Sequence, residues 1–191
     1  MRENLIELHP IIMSKQTKIS MLFYSILSGL ICFFTGFILS PFFSREVVDF
    51  TKNFYSSIPF NALSIFLNNL SIAIFMIAGG IVYGIPTLIF GVQNFFVLGV
   101  LSRYFIEKMG LNFYLLSLLP HGVIEIPAMI ISFYYGIKVC YLRLVNTPPP
   151  ETSRIIRKAV FNITPLFFFA AIVEVYITPV ILTYFNFVLK F

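Results

Sequence analysis

Along the chain, apolar positions gather into long runs separated by short polar breaks. Ile19 to Ser40 carries no charge and matches the roughly 20 residues that a membrane-spanning helix needs. Pro41 is expected to end this first span. Residues 42–60 then read as a polar connection, with Arg45, Glu46, Asp49 and Lys52 nearly balanced and a short amphipathic helix over 44–55. Asn61 to Tyr83 is the second span. Gly84-Ile85-Pro86 is a very short turn, which makes the second and third spans an antiparallel hairpin. The third runs from Pro86 to about Arg103, where Arg103, Tyr104, Glu107 and Lys108 mark the interface.

Met109-Gly110-Leu111-Asn112 breaks the pattern, and the apolar stretch 113–119 is too short to span. It is expected to lie at the interface or to re-enter as a short half-helix, which hydrocarbon tolerates only where protein or water satisfies the backbone. Pro120 suits the first turn of a helix, where its missing N–H is harmless, so the fourth span reads as Pro120 to Leu142. Thr147-Pro148-Pro149-Pro150 reads as stiff polyproline. Val160 to Tyr184 is the fifth span, followed by a short tail. The fold class is therefore all-α, a polytopic membrane helical bundle of about five transmembrane helices with one short re-entrant or interfacial helix. Residues 1–18 form a cytoplasmic N-terminal segment, either an interfacial helix interrupted at Pro10 or a partly ordered tail, and 19–191 form a single transmembrane domain. The long charged start and the lack of a small-residue cleavage site argue against a cleavable signal peptide.

Composition supports this reading. The chain is 59% hydrophobic and 11% charged, more apolar surface than a soluble domain of this length can hide. With 24 Phe, 10 Tyr and no Trp, Tyr and Phe must supply the interfacial belt. The net charge of +5 reads as positive-inside anchoring, because no basic stripe interleaves with aromatics as nucleic-acid binding requires. Placing the N-terminus in the cytoplasm and the C-terminus outside puts Arg2, Lys15, Lys18, Lys138, Arg143, Arg154, Arg157 and Lys158 inside, the side that basic residues favour, against Arg45, Lys52, Arg103, Lys108 and Lys190 outside. Cys32 and Cys140 read as buried thiols, not as a disulfide.

Polar groups inside the spans are the candidates for function. His121 and Glu125 are one helical turn apart on one face, the spacing of a hydrogen-bonded pair. Glu174 lies mid-span and must be protonated, paired or facing water; His121 is its first candidate partner and Asn94 its second. Asn68 and Asn69 need hydrogen bonds to another helix. Packing and kink positions are Gly80 and Gly84, which form a G-x-x-x-G, together with Gly99, Pro120, Gly122, Pro127, Gly136 and Pro179. The polar cluster reads first as a clasp between helices and second as a proton- or ion-linked path. One histidine and two carboxylates without a motif such as H-E-x-x-H give no expectation of a metal, and no cofactor is expected. No nucleophile elbow, phosphate-binding loop or dinucleotide fingerprint is present, so no enzymatic activity is expected.

The P-H-G-x-x-E-I-P-A at 120–128, followed by Gly136 and by Glu174, Thr178 and Pro179 as a late E-x-x-x-T-P, resembles the signature of the stage II sporulation protein M family of integral membrane proteins. The resemblance covers about residues 60–180. Upstream, Asn68 or Asn69, Gly80, Gly84, Asn94 and Gly99 also fit, whereas Phe95 stands where the family pattern has glycine. The resemblance implies an all-helical membrane domain, and its namesake is similar to a scaffold that recruits peptidoglycan-remodelling enzymes during engulfment. The expected role is a non-enzymatic scaffold or assembly subunit in the cell membrane, in contact with the lipid bilayer and with a membrane-protein partner or a second copy, and not with nucleic acid. The alternative is a permease, channel or transporter subunit that uses the cluster as its path.

Overall fold

The computed structural model describes residues 14–56 and 61–185; the expectations for residues 1–13 and 186–191 lie outside these. Five helices are long and apolar enough to cross a membrane, and they form one helical bundle. The first, α1, spans Lys15–Ser56. It is capped by Ser14, whose Oγ accepts the Thr17 amide at 3.0 Å. Pro41 does not end it, contrary to the sequence reading, and the amphipathic stretch expected over 44–55 is its continuation. The cause is packing against α3, Ile85–Met109, on both sides of the proline. Before Pro41, a Cβ on Gly36 would strike the Phe96 carbonyl and one on Gly99 the Phe33 carbonyl, so the two backbones touch. Ser40 Oγ donates to the Val100 carbonyl at 2.9 Å. After the proline, Phe43 meets Phe96 edge to face. At 1.5 Å per residue α1 is about 63 Å long, twice a hydrocarbon core of about 30 Å. Its length therefore exceeds what a single upright crossing needs.

Asn61 caps α2, Ala62–Ala78, by accepting the Ser64 amide at 2.9 Å. A single 3-10 turn, Gly79–Val82, then leads through Tyr83 and Gly84, both left-handed, into α3. Gly84, with φ +78, serves the turn, and a Cβ there would also come within 3.1 Å of the Cys140 Sγ on the helix that Gly80 meets. The hairpin is fastened where buried Thr87 Oγ1 donates to the Met76 carbonyl at 2.7 Å.

Residues 113–119 do not form a separate short element. They are the first turns of a continuous α4, Leu111–Leu144, with Pro120 and Pro127 inside it. The break falls at Gly110, with φ +88. The start of α4 is held to the end of α3 by a 2.6 Å bond between the hydroxyls of Ser102 and Tyr114. Pro120 leaves the Leu116 carbonyl without its helical N–H donor, a loss that membrane helices tolerate where neighbours support the turn. Only Pro148 of the proline run is extended. Pro149 and Pro150 open α5, Pro149–Ile172, because the first helical turn has no use for their missing N–H groups. After a π turn at Val173–Ile177 the helix resumes as α6, Thr178–Tyr184, and the three pieces form the fifth span.

The core lies among α2, α3, α4 and α5, where Met76, Ile77, Phe133, Ile163 and Phe167 are buried. Large apolar side chains such as Phe34, Phe75, Phe161 and Val180 face outward, as lipid contact requires. The end of α2 and the 3-10 turn that follows it meet α4 at Gly80 and Gly136. A Cβ on Gly80 would strike the Gly136 carbonyl, and one on Gly136 the Met76 carbonyl. Gly122 has no such role, since the space beside it is filled by Leu118 of its own helix. Lys18 and Lys158 both lie near enough to Lys138 for their charges to act on it, which places the start of α1, the end of α4 and the start of α5 at one end of the bundle.

Candidate functional site

The polar groups meet where α2, α4 and the π turn converge. Asn69, 7% exposed, donates from Nδ2 to Glu125 Oε1 at 2.8 Å. Asn68 Nδ2 donates to Asn69 Oδ1 at 3.2 Å, which fixes the orientation of the second amide. Two adjacent asparagines on α2 thus form a relay into a carboxyl on α4. The ligand-capable atoms of His121, Glu125 and Glu174 all lie within 4.8 Å of one another.

His121 and Glu125 do share a face, but they do not hydrogen-bond to each other; Glu125 is held from α2 instead. His121 Nδ1 is buried without a hydrogen-bond partner. Asn94 is not drawn into the cluster: its Nδ2 donates to the Phe90 carbonyl of its own helix at 2.7 Å. Pro127 lies in α4 just beyond Glu125 and deprives the Val123 carbonyl of its helical donor.

Glu174 reaches the cluster because of the turn that carries it. In the π turn the Thr178 amide donates to the Val173 carbonyl five residues back, and Thr178 Oγ1 reaches the same carbonyl at 3.2 Å. Pro179, the next residue, cannot donate to the Val175 carbonyl. The widened turn accommodates that loss, and single π turns of this kind are frequent at functional sites. The T-P that follows Glu174 therefore shapes the turn from which the carboxyl projects. The sequence reading took Pro179 as a kink and missed this turn; the usable signal was a hydroxyl residue directly before an intrahelical proline.

Phe95 also finds its explanation. It is buried, packs edge to face on Phe133, and lies 3.3 Å from where a Cβ on Gly29 would sit. The ring occupies room that a glycine on α1 leaves. Cys32 and Cys140 are free thiols, but each is only half-buried and not fully buried as expected, because each lies at the edge of a helix contact.

No solved structure matches the chain significantly. An uncharacterized protein of Methanocaldococcus jannaschii is 36% identical over 160 residues, which cover 80% of this chain and 90% of that relative. The family described as Stage II sporulation protein M matches residues 29–179, a range that contains the whole cluster and both proline-marked motifs, and the chain belongs to that family.

Proposed function

We propose that this protein is a non-enzymatic scaffold or assembly subunit of a cell-membrane complex, with its N-terminus in the cytoplasm and its C-terminus outside. The observation that carries the reading is the 2.8 Å bond from Asn69 to Glu125. It engages the central carboxyl in a tie between two helices, where a conducting path would need that group free to exchange. The short connections between helices among the described residues agree with this, because they leave contact with a partner to helix faces, to the C-terminal end of α1 and to the basic stretch 143–158. The chain would then serve as a rigid platform, and His121, Glu125 and Glu174 would set the relative positions of α4, α5 and α6.

The test compares the parent with Glu125→Gln and Glu174→Gln, each purified in detergent and reconstituted into liposomes. The expected result is modest thermal destabilisation of both variants and no proton or ion flux in any of the three. Flux in the parent that Glu125→Gln abolishes at unchanged melting temperature would replace the scaffold with a permease.

A further inference from the structure

We propose that His121, Glu125 and Glu174 bind a divalent transition-metal ion of the zinc type, which ties α4 to the π turn. Three observations converge on it. The ligand-capable atoms of the three side chains lie within 4.8 Å of one another. Ligand atoms around a tetrahedral zinc ion with bonds of about 2.1 Å are about 3.4 Å apart, so side-chain adjustments of roughly 1.4 Å at most close the set. His121 Nδ1 is buried and unpartnered, so no hydrogen bond commits that ring nitrogen against ligation. Glu125 is oriented as metal-ligating carboxylates are, by a second layer of hydrogen bonds. Asn69 holds Oε1 at 2.8 Å and is itself held by Asn68, and a carboxylate that accepts one such bond keeps acceptor capacity for an ion.

Charge favours the same conclusion. Two carboxylates inside a membrane bundle are expensive when both are ionised, and a dication between them brings the group to neutrality. The imidazole selects among cations: magnesium and calcium prefer sites built wholly of oxygen ligands, whereas an imidazole with carboxylates suits zinc, and cobalt as its stand-in. The sequence carried no expectation of a metal, because one histidine and two carboxylates lack a second ligand motif such as H-E-x-x-H; the proximity of the three ligand atoms is what changes that reading. The inference stands whether or not the protein serves as a scaffold, because its test reads metal retention and not partner binding.

The test uses the full chain in detergent, stripped with EDTA, dialysed against zinc or cobalt and then washed free of unbound ion. The parent should retain roughly one ion per chain and melt at a higher temperature than the stripped protein, with no such shift from magnesium. Cobalt should give visible ligand-field absorption without thiolate charge-transfer bands. His121→Gln and Glu174→Gln should each weaken retention at least about tenfold, whereas His9→Gln should retain the ion as the parent does. Should the site variants fail to purify, the parent alone decides: absence of retained metal, or a cobalt spectrum with thiolate bands that places the ion on Cys32 or Cys140, overturns the proposal. Retention unchanged in Glu174→Gln overturns it equally.

Discussion

The strength of the Asn69–Glu125 tie can be isolated by a double-mutant cycle. Asn69→Ala removes the 2.8 Å bond to Glu125 and the 3.2 Å bond from Asn68. Hydrogen bonds between membrane helices average about 0.6 kcal/mol and reach about 1.7. Asn69 is only 7% exposed, so solvent offers little replacement, and the carboxyl oxygen left behind adds part of the roughly 1–3 kcal/mol of an orphaned buried group. The single variant should therefore lose about 2 kcal/mol. The pairwise part appears when Asn69→Ala and Glu125→Ala are combined, and a coupling of about 1 kcal/mol is expected for groups in contact. Asn94→Ala serves as the control, because its amide bonds to the Phe90 carbonyl; its coupling to Glu125→Ala should be close to zero. The assay is reversible unfolding in mixed micelles by titration with a denaturing detergent, in EDTA so that bound metal contributes nothing. Coupling near zero at Asn69, or equal coupling at Asn94, would refute the assignment of the α2–α4 tie.

Two further outcomes follow from the fold. Gly99→Ala should cost about 1–3 kcal/mol, because its methyl group would strike the Phe33 carbonyl and push α1 off α3; an unchanged unfolding midpoint would contradict that packing. In a background with Cys32 and Cys140 replaced, a membrane-impermeant thiol reagent added to intact cells should label Lys108→Cys and leave Thr152→Cys untouched, and the reverse pattern would invert the proposed orientation.

The family motifs and the five spans were readable because charge and amides are rare in long apolar runs, so His121, Glu125 and Glu174 stood out without any structure. What they touch was not readable. Asn69 and Glu125 are 56 positions apart, and how α2 sits on α4 depends on Gly80 of the 3-10 turn and Gly136 fitting together, a contact between backbones that leaves no periodic trace. Prolines caused the other errors. A proline after a polar break suits the first turn of a helix and equally the interior of a membrane helix. Pro149 took the first role, Pro120 and Pro41 the second. The choice was made by partners distant in sequence, Tyr114 on Ser102 for α4 and Ser40 on the Val100 carbonyl for α1.

The π turn also sets the rotational phase of everything after it. Each residue of an α-helix advances about 100° around the axis, and the turn holds one residue more than a regular helix would. If the stretch were regular, α6 would be turned by about that angle relative to α5, and Thr178 and Leu182, both buried, would swing toward lipid. Val180, which faces outward, would rotate with them. The same extra residue that carries Glu174 to His121 and Glu125 thus decides which side of the last helical segment meets the bundle. A one-residue deletion within Val173–Ile177 would disturb the cluster and the outward surface of the C-terminal segment together.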